Sequence, residues 1–590
     1  MATSGSESVA RQVEEHVFTT HDGSQLFYRH WPSAAGTTDR AVVLLHRGHE
    51  HSGRLQHLVD ELDLPDVSFF AWDARGHGRS PGRRGHSPSL GTSVWDVDAF
   101  VGHVSEGHGI CVENLAVVAQ SVGAVLAAAW VHDYAPKIRG LVLASPAFDV
   151  KLYVPFARPG LKLLHALRGD FDVNSYVKAR FLTHDPARIA SFDADPLVTR
   201  AISVKILLAL YEAANRVVAD AQAIQVPTQL LISEDDWVVR REPQYEFFSR
   251  LGSAVKECHL LPGFYHDTLG ERDRAKAIGR VRSFLLRRFE EPAGSPSLLD
   301  ADRQGYTRDE FDALRQPLSP RSPKGLFFAL SRLALRAGEA VSEGLRIGGT
   351  TGFDSGSTLD YVYRNNPTGK TVLGRWIDRA YLNSVGWRGI RVRKEHLEQL
   401  IVRAVDRLSD EGRPVRLVDI AAGHGRYILD ALAGHASAPE SILLRDYSDL
   451  NVRQGSALIA EKGLAQIARF EKGDAFDRAS LAALDPRPTL GVVSGLYELF
   501  PDNAPVRESL AGLADAIDAG GYLVYTGQPW HPQLEFIARA LSSHRGGRPW
   551  VMRRRTQPEM DQLVEAAGFR KLDERVDEWG IFTVSLAQRV

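Results

Sequence analysis

Ser121 lies in Leu115-Ala-Val-Val-Ala-Gln-Ser-Val-Gly-Ala-Val-Leu-Ala-Ala128, an apolar run that breaks at the serine and resumes in small residues. Such a stretch reads as a strand, a sharp turn and a helix, an arrangement that exposes the turn hydroxyl as a nucleophile. The turn is tight, so the positions two before and two after must be small. Ala119 and Gly123 meet that demand, with alanine where the usual G-x-S-x-G pattern has its first glycine. A serine at a helix start also serves as an N-cap, and the rest of the first half decides between the two. A second chemical stretch is Ala421-Ala422-Gly423-His424-Gly425, which follows the apolar run Val415 to Ile420 and its acid Asp419. Strand, small-residue loop and helix start suit a nucleotide-type ligand, because glycines let the main chain come close to it. Further along, Asp446 follows the strand-like Ser441 to Leu444, Asp474-Ala475 follows a third candidate strand, and Gly495 closes a fourth. His46, His49 and His51 cluster in the manner of metal ligands, but no spaced cysteine or carboxylate accompanies them, and no metal is expected.

The elements that must position these residues alternate. Val17 to Trp31 reads as a hairpin around His21-Asp22-Gly23-Ser24, and Ala41 to Leu45, Val67 to Trp72, Leu115 to Gln120 and Gly140 to Leu143 read as strands buried on both faces. Strands alternating with helices predict a doubly wound α/β sheet. The rhythm breaks over residues 148–223, a mostly helical insert that would cap the sheet. Its mix of apolar and basic residues suits either an acyl-chain entrance or an ordinary cap core with a solvated rim. Strand signals return at Thr228 to Ile232 and His259 to Leu261, and Ala275 to Phe289 is a closing helix. Residues 291–357 are expected to be a linker carrying one amphipathic helix, Gly325 to Ile347, and a glycine-rich connection, Gly348 to Ser357. The first domain is thus placed at 1–290 and the second at 358–590, within the two to four domains that 590 residues suggest.

Composition narrows the function classes. The chain is 44% hydrophobic and 24% charged with a net charge of −2, so it shows no basic footprint for nucleic acid. No apolar run is long enough for a membrane span, and the polar stretch Met1 to Glu15 shows no secretory signal. Two cysteines, Cys111 and Cys258, form no framework, which suits a reducing cytoplasm and buried apolar thiols.

The first half resembles the monoacylglycerol lipase and lysophospholipase branch of the α/β-hydrolases. The resemblance is carried by His46-Arg-Gly-His-Glu-His-Ser-Gly-Arg54, similar to that branch's H-G-x-G-E-H-S-G-R, by Asp73-Ala-Arg-Gly-His-Gly-Arg-Ser80 and by the elbow. It implies Ser121 as nucleophile and Asp236, in Ser233-Glu-Asp-Asp-Trp-Val-Val239, as the acid, with Asp235 a solvated loop charge. It implies His266, in Gly263-Phe-Tyr-His-Asp267, as the base in preference to His259. The main-chain N–H groups of Gly48 and Val122 would form the oxyanion hole. Arg47 and His49 replace glycines, and Arg47 either points outward, narrows the hole or touches an anionic head group.

The second half resembles class I S-adenosylmethionine-dependent methyltransferases. The ordered set Asp419, Ala421, Gly423, Gly425, Asp446, Asp474, Ala475 and Gly495 carries it, and no third glycine of a dinucleotide fingerprint follows Gly425. The resemblance implies S-adenosylmethionine as cofactor, Asp446 on the ribose hydroxyls and Asp474-Ala475 at the adenine. Tyr497 and Glu498 fall where acceptor-facing residues lie, or are strand-end packing. No obvious general base appears, which in-line methyl transfer tolerates. The combined expectation is a bifunctional cytoplasmic enzyme, an ester hydrolase for a lipid-like substrate joined to a methyltransferase of unknown acceptor. Peripheral membrane contact is part of that expectation. The alternative is one catalytic half joined to a silent binding module.

Overall fold

A computed structural model describes residues 10–590 apart from 176, 293, 295 and 438. The chain divides into two compact units, Met1–Pro296 and Ser297–Val590. Most of the polar N-terminal stretch lies outside the described residues.

In the first unit, β1 (Glu14–Thr19) and β2 (Gln25–Trp31) form the expected hairpin. They are followed by β3 (Ala41–Leu45), β4 (Ser68–Trp72), β5 (Leu115–Gln120) and β6 (Gly140–Ala144). After the cap come β9 (Thr228–Ser233) and β10 (Lys256–Leu261), and the sheet order is β1-β2-β4-β3-β5-β6-β9-β10. Every residue of β3, β4, β5 and β6 is buried, as strands covered by helices on both faces must be. Parallel register sets Leu45 beside Ala119 and Ala144 beside Gln120, so the loops after β3 and β5 emerge together at one sheet edge. Apolar side chains from β3, β4 and the closing helix Ala275–Glu290 share one core.

The cap differs from the mostly helical expectation. Besides the helices Ala157–Arg168, Pro186–Ala194 and Val204–Ala219 it holds an antiparallel pair, β7 (Asp172–Asn174) and β8 (Ala201–Ser203). Three-residue strands leave no readable alternation.

The second unit is a seven-stranded sheet of β11 (Arg416–Asp419), β12 (Ser441–Asp446), β13 (Ala468–Lys472), β14 (Leu490–Val493), β15 (Tyr522–Gly527), β16 (Phe569–Val576) and β17 (Thr583–Arg589). The order is β13-β12-β11-β14-β15-β17-β16, parallel except for the closing hairpin. This is a Rossmann-like sheet. The third candidate strand proves to contain Phe470 to Lys472 rather than precede them.

The expected linker is largely absent. From Ser297 onward the chain belongs to the second unit, and Tyr306–Arg315, Pro323–Gly338, Glu343–Thr351 and Gly356–Arg364 are helices. The glycines that suggested a loose connection are packing contacts. A Cβ on Gly348 would lie 2.4 Å from the Phe353 ring, and one on Gly344 would lie 2.8 Å from Tyr381. The cysteines also depart from expectation, since Cys111 is exposed and Cys258 half-buried.

Candidate functional site

The β5 strand delivers Ser121 to its apex at φ +56° and ψ −116°, outside the ordinary regions for a non-glycine residue. Strain of that kind persists only where surroundings over-determine it. Here the Ser121 N–H donates to the Ala144 carbonyl at 3.0 Å, while the N–H groups of Ala147 and Val125 donate to the Ser121 carbonyl. The small-residue rule acts on one side of the turn: a Cβ on Gly123 would lie 2.4 Å from the His46 carbonyl oxygen. On the other side Ala119 is accommodated, buried on β5.

His266 Nε2 lies 2.7 Å from Ser121 Oγ, and His266 Nδ1 lies 2.7 Å from Asp236 Oδ2. The other Asp236 oxygen accepts the main-chain N–H groups of Val238 and Val239 at 2.7 and 2.9 Å. Burial pushes the Asp236 carboxyl up, but His266 and these two donors outweigh it and hold it below the usual range. An ionised carboxylate only accepts hydrogen bonds, so Nδ1 carries the proton toward Asp236 and Nε2 is free to accept from the serine. The structure thus brings these three predicted residues together. Asp235 is exposed, and His259 sits on β10 beside Glu257 at 3.4 Å. A Cβ on Gly48 would lie 3.0 Å from a Val122 methyl, so the two oxyanion candidates are neighbours.

Arg47 neither points outward nor reaches for an anion in the cleft. It is buried, bonded to both Glu50 oxygens at 2.8 and 2.6 Å, 3.8 Å from Asp267, and stacked over Phe192 of the cap. Arg54 joins Glu50 at 2.7 Å and cap residue Arg188 joins Asp267 at 3.0 Å. Burial raises both carboxyls, and the surrounding arginines more than reverse it. The sequence reading missed this network, although Glu50 and Arg54 stand in the very motif that it quoted. Gln120, the residue before the nucleophile, donates to the His266 carbonyl at 3.0 Å and positions the base. The clustered histidines have other work: His46 bridges the Arg47 carbonyl and the Ala74 N–H, and His51 meets Asp195 at 2.9 Å. Among the described residues, three metal-type ligand atoms approach one another within 4.8 Å at Glu14, His16 and His30 on the outer hairpin.

In the second unit a cavity of about 810 Å³ opens where β11, β12 and β14 end. Ala421, Gly423, Gly425, Asp446, Asp474, Ala475 and Gly495 all line it. Gly423 and Gly425 have φ of +58° and +73°, and a Cβ on Gly425 would lie 2.4 Å from Leu444. One Asp446 oxygen accepts the Gly423 N–H at 3.0 Å and the other the Ser448 N–H at 2.9 Å, leaving lone pairs for hydroxyl donors. A glycine cradle beside a carboxylate with spare acceptor capacity fits a ribose-bearing cofactor.

Asp419 is the exception among the predicted cofactor residues, for it does not line the cavity. It is wholly buried, accepts the Tyr427 hydroxyl at 2.5 Å and the Ala421 N–H at 3.2 Å, and so anchors the loop. Burial pushes its carboxyl up to about 7. Tyr497 is a packing residue whose hydroxyl meets Ser509 at 3.0 Å inside the core, whereas Glu498 lines a neighbouring cavity. The sequence reading also missed the helix Gly356–Arg364, which contributes Gly356, Asp360 and Tyr363 to the 810 Å³ cavity. Asp360 ties that helix to the glycine loop through Arg426 at 2.5 Å.

A parallel sheet with a nucleophile elbow, base and acid defines the first unit as an α/β-hydrolase, and the second as a methyltransferase-type fold. Residues 36–273 match the family described as "Serine aminopeptidase, S33". Residues 281–589 match the family described as "Putative methyltransferase", and over this larger half the chain belongs to that family. It is 59% identical over 575 residues to the uncharacterized protein YnbC of Escherichia coli (strain K12), spanning 98% of each. It is 26% identical over 281 residues to the monoacylglycerol lipase of Mycolicibacterium smegmatis, covering 47% of this chain and 99% of that protein. The phospholipase YtpA of Bacillus subtilis is 24% identical over 257 residues, covering 43% and 98%. Among solved structures, the Paleococcus ferrophilus monoacylglycerol lipase is similar at 23% identity and TM-score 0.40, covering 47% of this chain and 99% of that one.

Proposed function

We propose that the first unit is a serine hydrolase of carboxylic esters, with a lipid such as a monoacylglycerol or lysophospholipid as substrate. The second unit transfers a methyl group from S-adenosylmethionine. The observation that carries the hydrolase reading is the continuous chain of short hydrogen bonds from Ser121 through His266 to Asp236, set on a strained elbow. His266 Nε2 takes the serine proton as Oγ attacks the ester carbonyl, and the main-chain N–H groups of Gly48 and Val122 hold the oxyanion. His266 returns the proton to the leaving alcohol. It then takes one from water, whose oxygen displaces Ser121 and releases the acid. A fluorophosphonate probe tests this assignment: it should label Ser121 in the wild-type chain and nothing in Ser121→Ala.

The lipid class is supported by the lipase relatives and by the cap helix Ala157–Arg168, which exposes Leu163, Leu164 and Leu167 among basic residues and buries no side chain. Peripheral membrane contact is supported in the second unit as well. Helix Pro323–Gly338 docks through Phe328 yet leaves Leu326, Phe327, Leu330 and Leu333 exposed, and helix Val372–Leu382 leaves Leu373 and Trp376 exposed. Apolar residues beside arginines and lysines suit an anionic bilayer surface. Cytoplasmic placement, at its inner membrane face, is part of the same reading.

In the second unit, S-adenosylmethionine supplies an electrophilic methyl group. Asp446 would hold its ribose hydroxyls, Asp474 and Ala475 its adenine, and the Gly423–Gly425 loop would pass close beneath it. Calorimetric titration of S-adenosylmethionine into the full chain tests this. The alternative, in which one half is a silent binding module, predicts no probe labelling of Ser121; the pairing of Arg47 with Glu50 supports a catalytic hydrolase half.

A further inference from the structure

A second cavity, of about 140 Å³, lies beside the cofactor cavity and shares Arg393, Gly495 and Leu499 with it. Its remaining walls include Trp387, Ile390, Trp550 and Phe582. A cavity of about this volume accommodates one benzene ring.

Polar and charged side chains break the apolar lining, among them Asp354, Arg393, Glu498, Gln528, His531 and Gln533. Gln528 Nε2 and Arg393 Nε are buried donors without a protein partner, as is Trp550 Nε1. Buried donors are nearly always paired in native proteins, and these three belong to side chains that line one cavity. The Glu498 carboxyl is buried, lines the same cavity and stands 3.6 Å from Arg393 Nη1. Burial raises this carboxyl and outweighs the opposing charges of Arg393 and Arg555.

From this juxtaposition we infer that the second cavity is the methyl-acceptor site and that it takes a single-ring phenol, with Glu498 as the base for its hydroxyl. The assignment rests on the methyltransferase reading of the unit. As the phenol oxygen bonds to the methyl carbon, the carbon–sulfur bond of the sulfonium donor breaks with its electron pair going to sulfur. The hydroxyl proton passes to the Glu498 carboxylate. Trp387 and Phe582 contact the ring, and Gln528 donates to a ligand oxygen.

The test uses the full chain and 4-ethylphenol, with hexadecanoic acid as the competing class. Calorimetry first measures S-adenosylhomocysteine, then 4-ethylphenol in its presence. The expected results are binding of both ligands and transfer of tritiated methyl from S-adenosylmethionine to 4-ethylphenol. Gln528→Leu should weaken 4-ethylphenol binding about tenfold. Glu498→Gln, nearly isosteric, should lower kcat about 100-fold while leaving both binding constants within twofold. If S-adenosylhomocysteine fails to bind the wild-type chain, the methyltransferase reading falls and the acceptor assignment with it. If it binds and 4-ethylphenol does not, or if the cavity-filling Ile390→Trp binds both ligands unchanged, the acceptor assignment alone is overturned. Methylation of hexadecanoic acid at a rate equal to or above that of 4-ethylphenol also overturns it.

Discussion

The two clefts of this molecule handle buried charge in opposite ways. In the hydrolase unit the reactive side chains satisfy one another: serine to histidine, histidine to aspartate, aspartate to two main-chain N–H groups. In the methyltransferase unit Asp446 holds main-chain N–H groups around a cavity, while Gln528 and Arg393 keep donors without protein partners. The first site contains its own chemistry, so the geometry of three side chains is enough to read a mechanism. The second is a receptacle, and its meaning lies in the shape of the main chain and in what the walls still need.

That contrast can be broken experimentally, and the largest effect belongs to the self-contained site. Ser121→Ala should lower kcat for p-nitrophenyl esters by about 10⁶-fold, and Asp236→Asn by about 10⁴-fold through the wrong histidine tautomer. S-adenosylmethionine affinity should be unchanged in both. Residual esterase activity near wild type in Ser121→Ala would show that the elbow is not the nucleophile.

Gly425→Val probes the receptacle. Its backbone is left-handed and the added Cβ meets Leu444, so S-adenosylmethionine binding should weaken by at least about 100-fold while ester hydrolysis persists. Loss of hydrolysis in a folded Gly425→Val chain would mean that the two sites are coupled.

Arg47→Met tests the ion network behind the oxyanion loop. Removing one partner of a buried pair costs about 3–5 kcal/mol. Arg54 and Arg188 still face Glu50 and Asp267, so the lower end, about 3 kcal/mol, is expected in denaturant unfolding of the first unit.

Asp419 gives a pH signature confined to the second unit. Its folded carboxyl titrates at about 7 against an ordinary 3.8, so between those values the folded state binds a proton that the unfolded state does not. Stability therefore falls as pH rises through that window. The melting temperature of wild type minus that of Asp419→Asn should decrease from pH 4 to pH 7 and level off above it. A flat difference would place the Asp419 carboxylate in a setting where its charge is well compensated.

The smallest expected effect is at the surface. Phe327→Asp with Leu330→Asp should reduce flotation with anionic vesicles several-fold without changing either activity toward dissolved substrates. Equal flotation of wild type and variant would remove that helix from the membrane reading.

Much of the fold was legible because local patterns and tertiary demands agree. The all-apolar runs of β3 and β5 are buried on both faces, and the glycine loop after β11 follows its strand as expected. Misreadings cluster where a residue's role depends on packing rather than on a local pattern. Gly348 opened what read as a glycine-rich connection, yet it makes room for Phe353. Asp419 looked like a cofactor ligand, yet its partner is Tyr427 one helical turn inside the core.

By itself the sequence marked the elbow and the glycine loop after β11, through residue size, backbone freedom and strand period, which act over a few positions; the acid and base came from the family resemblance. Only the tertiary structure decided where Arg47 points, that Glu498 faces a cavity while Tyr497 does not, and that the supposed linker is part of the second unit. Each of those outcomes depends on desolvation, pairing and packing that a local pattern does not encode, as when a buried guanidinium takes a nearby carboxylate.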